Sequence, residues 1–204
     1  MLMERMFYMA RSPKREKLLE ATKELLWEVG FEAMSPRDIQ ERSAARPGSL
    51  YHHFSSKLAL AGEAMREIAE QDVARINAFF AEEGPPLEIV QRYLELKRDS
   101  VRGCRFGRLV NEASIQHDEL RGPVNAFFNA IRENLTLKLK QAKEEGALPA
   151  TVSPEALAVS LLALIQGGAV LARAYQDETL YEQATQGALA LLREAADKAH
   201  EQAS

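Results

Sequence analysis

Residues 35–57, SPRDIQERSAARPGSLYHHFSSK, leave the chain few conformations to choose from. Ser35 is a good N-cap, and Pro36 suits the first helical position, where its missing N–H costs nothing. A helix over Pro36–Ser43 carries Ile39 inward and sets Arg37, Asp38, Glu41 and Arg42 outward. Residues 43–46, Ser-Ala-Ala-Arg, are too few and too small to be anything but a turn. From Pro47 a second short helix opens, with Leu50 and Phe54 four apart on one inward face. That leaves Arg46, Ser49, Tyr51, His52 and His53 on or near the outer surface, while Ser55 and Ser56 can cap a third helix holding Lys57 in its first turn. A short helix displaying hydrogen-bonding side chains and braced by another fits a major groove.

On those residues the chain resembles a known family. GSLYHHFSSKLAL resembles the end of the helix-turn-helix in TetR-type transcriptional regulators, and FEAMSPRDIQERSAA resembles their first and second DNA-binding helices. The resemblance covers residues 14–62 and implies an all-helical, homodimeric, ligand-responsive repressor that binds a double-stranded DNA operator. It divides the chain into an N-terminal arm with a three-helix DNA-binding head, residues 1–62, and a helical-bundle domain for effector binding and dimerisation, residues 63–204. In the family pattern, the places of Tyr51 and Lys57 touch phosphates. Arg46, Pro47, Gly48, Ser49 and His52 are the positions to meet base edges, with Arg37 reaching from the neighbouring helix. The family often has a small hydroxyl residue where Arg46 stands and commonly lysine where Pro47 stands. Arg46 offers a bidentate grip on guanine or a clamp on phosphate, so operator preference does not carry over from relatives.

Charge placement agrees with such a head. Residues 1–60 hold 10 Lys and Arg against 8 Asp and Glu; the remainder holds 16 against 22. A mildly basic head on an acidic body suits phosphate contact. At 204 residues with 46% hydrophobics the chain has enough apolar side chains for a proper core. Its single cysteine, Cys104, excludes an internal disulfide framework and fits a reducing cytosol, so a cytoplasmic protein is expected. The opening MLMERMFYMARSPKREK lacks a signal-peptide core and reads as a loose arm, and no apolar run is expected to span a membrane.

Helical periodicity continues throughout, with no strand-like alternation. A first helix runs from Ser12-Pro13 to Gly30, which stops it. Long helices are predicted over 56–82, 86–101, 124–145, 156–175 and 178–199, with a shorter one over 106–116; Gly84-Pro85-Pro86 and Gly122-Pro123 mark breaks. In the later helices Leu157, Leu161, Leu164, Gly168, Leu180, Ala184, Ala188 and Leu191 make apolar and small-residue stripes. Such stripes either form an isologous four-helix bundle with a second copy or pack only within the subunit.

Tyr93, Phe106, Phe127, Phe128, Ile131 and Leu135 are candidate linings for an effector pocket, in the region where the family resemblance places one. GCRFGRLVNEAS and QGGAVLARAYQD also resemble a TetR subset that senses drug-like or other apolar molecules. Lys97, Arg98, Arg102, Arg105 and Arg108 surround Gly103 with only Asp99 as a nearby acid. This run is either a solvated face or the seat for the negative end of an amphipathic effector such as a fatty acid or acyl-coenzyme A.

Neighbouring helical positions point about 100° apart, so His52 and His53 do not chelate one ion, and no metal or cofactor is expected. No Gly-x-Ser-x-Gly elbow, Glu-x-x-His pair or base for Cys104 supports an enzyme. Cys104 reads as a small apolar residue rather than a redox sensor. A DNA-architectural protein without an effector is the other class the sequence allows.

Overall fold

A computed structural model describes residues 12–46 and 48–203, the last four without side chains. Pro47 and most of the expected N-terminal arm lie outside the described residues. The elements in order are α1 (Pro13–Glu28), α2 (Gly30–Ala33), α3 (Pro36–Ser43), α4 (Ser49–His53), α5 (Lys57–Phe80), α6 (Pro86–Leu94), α7 (Arg105–Val110), a 3-10 turn (Ala113–Gln116), α8 (Asp118–Glu144), α9 (Pro154–Tyr175) and α10 (Thr179–Ala203). Among the described residues there is no strand, and the chain is all-α.

By internal contacts the chain divides into two compact units. The first comprises the residues up to Ala69 together with Arg108–Val124, the second Glu70–Gly107 and the residues from Asn125 onward. The three cuts fall within α5, α7 and α8, about two helical turns beyond residue 62 in the first case. In the first unit α1 packs against α2, α3 and α4. Leu18, Leu19, Leu26, Met34, Ile39, Leu50, Leu60 and Met65 are among its fully buried side chains, and Leu109, Leu120 and Val124 are buried on the returning segment.

The second unit is built around one apolar cluster that includes Ile76, Phe80, Ile89, Tyr93, Leu94, Ile131, Leu135, Leu139, Leu161, Ile165, Leu189 and Leu192. Within it α9 packs along α10. At Gly168 a Cβ would stand 2.8 Å from the Ala184 Cβ and 3.3 Å from the Tyr181 ring, so only a bare backbone lets the two helices meet there.

Three helix expectations are corrected. The helix expected over 86–101 ends at Leu94, because the Arg98 guanidinium turns back to the Tyr93 and Leu96 carbonyls at 3.2 and 3.1 Å. The segment 106–116 is not one helix: α7 stops at Val110, Glu112 is extended, and a 3-10 turn follows. Gly122-Pro123 does not break the chain, since α8 runs from Asp118 through Pro123. Pro123 removes one N–H from the ladder, while Leu120 and Val124 beside it are 0% and 3% exposed. That burial holds the helix across the gap, tertiary packing outweighing local propensity.

A further correction concerns α9, which is long and apolar enough to cross a membrane by length and composition. It is a core helix: Ala158, Leu161, Ile165, Ala169 and Ala172 are buried in the second unit's core.

Candidate nucleic-acid interface

The first unit sets α3 and α4 with local hydrogen bonds at each bend. Ser35 Oγ accepts from the Asp38 N–H at 3.2 Å, and the Asp38 carboxylate accepts from the Ser35 N–H at 2.8 Å, a complete capping box. The bonds from Ser35, backbone first, hold the Asp38 carboxyl below its usual range. At the other end of α3, Ala44 takes a left-handed conformation at φ 53°. Its N–H donates to the Glu41 carbonyl at 3.3 Å, and Ala45 N–H donates to Gln40 at 3.1 Å. That double cap is the Schellman arrangement, with alanine where glycine is usual.

The turn delivers the chain to Gly48, at φ +82° and the N-cap of α4. Leu50 and Phe54 anchor α4 inward at 0% and 6% exposure. Arg15 of α1 lies 4.8 Å from the Phe54 ring centroid and pairs with Glu63 at 2.6 Å, bracing the base of α4 from a second helix.

What remains outside is polar and cationic. Arg46, Gly48 and His52 are exposed, Ser49 is half-buried and Tyr51 is 59% exposed. Arg46, Gly48, Ser49, His52 and His53 line an open cleft of about 480 Å³ with Ser12, Pro13 and Lys14. Arg46 and Ser49 also line a second cleft, about 270 Å³, with Lys14, Lys17 and the turn 43–45. Among the described residues no carboxylate lines either one. Lys14 and Lys17 were absent from the sequence-derived site. Their only sequence signal is a position just before the buried Leu18 and Leu19, and folding alone brings them beside Arg46. Arg37 is outward too, with its Nε on Glu41 at 2.7 Å.

Lys57 is placed differently from a free phosphate donor. Its ammonium donates to the Phe31 carbonyl at 2.9 Å and the Met34 carbonyl at 2.8 Å, and lies 4.1 Å from the Phe31 ring centroid. Burial lowers its pKa against the opposing pull of Glu112 and Glu32. Two of its three protons therefore serve the C-terminal end of α2.

In the second unit Phe106 and Phe127 stack at 4.0 Å between centroids, with Phe128 edge-on to Phe127 at 5.2 Å. Phe106 and Ile131 are buried. Tyr93 is buried in another aromatic group with Phe79 and Phe80, and burial raises its phenol pKa. Arg98 is committed to this interior: it lies 4.9 Å from the Tyr93 ring centroid and donates to the Tyr181 hydroxyl at 2.5 Å. The Arg102 carbonyl accepts from Arg173, and its N–H donates to Asp99 at 3.3 Å; Arg102 and Arg105 are half-buried. Cys104 is half-buried as well, and burial pushes its thiol pKa up, away from a reactive thiolate.

The sequence-derived interface residues separate into two faces. Leu161, Gly168 and Ala188 are buried inside the subunit. Leu157, Leu164, Leu180 and Ala184 are half-buried, and Leu191 is 52% exposed.

Comparison with known proteins agrees with this geometry. The profile of the bacterial regulatory proteins of the tetR family matches residues 18–64, and that of the tetracyclin repressor-like C-terminal domain matches residues 87–188. The HTH-type transcriptional repressor DhaR of Mycobacterium sp. (strain GP1) is 28% identical over 78% of this chain and 82% of its own length. The HTH-type transcriptional regulator UidR of Escherichia coli (strain K12) is 29% identical over 76% and 79%. Among solved structures, a TetR-family regulator from Agrobacterium tumefaciens superposes with a TM-score of 0.77 at 22% identity, covering 90% of this chain and 97% of that one. The reduced form of E. coli NemR gives 0.74 at 22%, covering 89% and 96%. A braced α4 among cationic clefts, matched in family profile and fold along most of the chain, makes the protein a member of the TetR family of helix-turn-helix transcriptional regulators, and not an enzyme.

Proposed function

We propose that the protein is a homodimeric repressor that grips a palindromic operator with α4 of each copy and releases it when a small apolar or acyl-type effector binds the second unit. The observation that carries the reading is the cationic surface around Arg46, lined by no carboxylate among the described residues and flanked by the exposed Tyr51 and His52. Tyr51 there offers a phenol to phosphate, Arg46 offers a fork to guanine, and Lys14 and Lys17 add sequence-independent attraction.

Self-association is supported by an unpartnered stripe on α9, opposite its buried face. Val159, Val170 and Leu171 are 52%, 65% and 45% exposed, and Ala163 and Gly167 between them are exposed as well. Leu191 on α10 continues this apolar character at 52% exposure. Small residues let helices of two copies approach closely in an isologous bundle.

The effector reading rests on Phe106, Phe127 and Phe128 lying together, with Arg102 and Arg105 close by in sequence. An anionic ligand with an apolar tail suits that chemistry. It shifts the dimer away from operator spacing only as far as it favours the released state. The test is titration of a protein–operator complex with an acyl-coenzyme A, a free fatty acid and a neutral aromatic drug. Release by the first two, weakened by Arg102→Ala or Arg105→Ala, is the expected result. Release by the neutral compound alone rejects the anionic ligand, and release by none rejects effectors of these three kinds.

A further inference from the structure

Residues 108–124 lie far beyond the helix-turn-helix in sequence, yet they are part of the first unit. Glu112, extended between α7 and the 3-10 turn, carries the contact that matters most. Its carboxylate accepts from the Phe31 N–H and the Glu32 N–H, each at 3.0 Å, at the start of α2. Ser114 Oγ donates to the same carboxylate at 3.3 Å, and the Glu32 carboxylate accepts from the Ser114 N–H at 2.9 Å. Gly30 makes the space. It sits at φ +86°, and a Cβ there would stand 1.8 Å from Glu112 Oε1.

The opposite end of α2 is held by Lys57, through the Phe31 and Met34 carbonyls. A single helical turn of four residues thus has an anion at its N-terminus and a cation at its C-terminus, the pairing that helix dipoles favour. Lys57 is also the first residue of α5, just past Phe54, the C-cap of α4. Hydrogen bonds therefore run from Glu112 to α2 and from α2 to Lys57, and the backbone leads from Lys57 through Ser56 and Ser55 to Phe54 at the base of α4.

We infer that Glu112 is a positioning residue for DNA recognition, its carboxylate in the Gly30 notch fixing α2, and through Lys57 the seat of α4. The inference rests on the DNA-binding reading of α4. A merely local cap would protect α2 and stabilise the unit without affecting how α4 meets DNA.

The experiment uses the full chain and a duplex enriched from a random library by the wild-type protein, with a scrambled duplex for comparison. Glu112→Gln keeps the size of the side chain and removes its charge. It should weaken the enriched duplex roughly tenfold, the scale of a charge-assisted hydrogen bond, and change the scrambled duplex much less. Amide exchange should quicken at residues 50–54 as well as at 30–34. Gly30→Ala closes the notch with Glu112 intact and should reproduce the loss. The double variant should be no weaker than the weaker single one, because both break the same link. A lower thermal midpoint with an unchanged affinity ratio and faster exchange confined to 30–34 overturns the inference, as does additive loss in the double variant. If Gly30→Ala fails to fold, the Glu112→Gln exchange pattern and affinity ratio still decide. Glu112→Gln binding like wild type removes this inference alone; a wild-type protein that enriches no duplex removes the DNA-binding reading with it.

Discussion

The two units keep their helices in place by different means. In the first, α2, α3 and α4 have four, eight and five residues, too short to persist on helix propensity. Their ends are secured by particular groups: the Ser35–Asp38 box, the Ala44 turn, the Lys57 ammonium and the Glu112 carboxylate. In the second, α9 and α10 run for 22 and 25 residues beside the greater part of the 27-residue α8, and the core is built from Leu, Ile, Ala and aromatic side chains. The placement of α2, α3 and α4 therefore depends on a few polar atoms, and the packing of the second unit depends on volume. Substitutions that move charge should matter most in the first unit, and those that change bulk should matter most in the second.

The largest expected effect comes from placing a charge inside the second unit. Leu161→Asp should destabilise it by about 4 kcal/mol or more, read by urea unfolding, because an unpaired charge enters a fully buried site. Leu191→Asp, on the half-exposed face of α10, should lower the unfolding midpoint far less, by no more than the loss of self-association, and give monomers by light scattering. Equal behaviour of the two variants would erase the distinction between the inner and outer faces.

In the first unit, Lys57→Ala should cost about 2 kcal/mol of stability, since two carbonyls lose a charged donor. A variant that keeps its midpoint while its salt slope for DNA falls by about one unit would return Lys57 to phosphate contact. Arg46→Ala should relax preference at one operator position by about 1–3 kcal/mol. Lys14→Ala and Lys17→Ala should weaken every duplex alike, checked by binding across a salt series.

Ala44→Gly should stabilise the protein by about 0.5–1 kcal/mol, because glycine takes the left-handed cap without steric cost. The smallest effect is acidic. Asp38 has a depressed folded pKa, so its contribution is complete above the ordinary aspartate pKa and is lost as pH falls through the depressed value. Asp38→Asn should flatten that part of the stability–pH curve and leave its alkaline side alone.

How much of this the sequence revealed depended on the range of the deciding interaction. The bounds of α3 could be read directly, since Ser35, Pro36 and Asp38 signal its start within four residues. The exposure of Arg46, Tyr51 and His52 followed from the inward pair Leu50 and Phe54. Lys57 was legible as a position but not as a contact, because nothing local announces the Phe31 and Met34 carbonyls. The same holds for Pro123, carried through α8 by buried neighbours, and for Lys14 and Lys17, which meet Arg46 only after folding. On α9 both faces are apolar, so periodicity could not say which stripe belongs to the subunit's own core. Leu161 and Ile165 turned out to face inward, Val159 and Val170 outward.

The notch at Gly30 bears on how such regulators can be recombined. A chimaera spliced at residue 62 would carry the notch from one parent and whatever stands opposite it from the other. Unless that second parent supplies a carboxylate in the place of Glu112, α2 loses the group that fills the space, and the transplanted head arrives loosened. The transferable module is two separate stretches of chain, and a graft that keeps operator choice must move both.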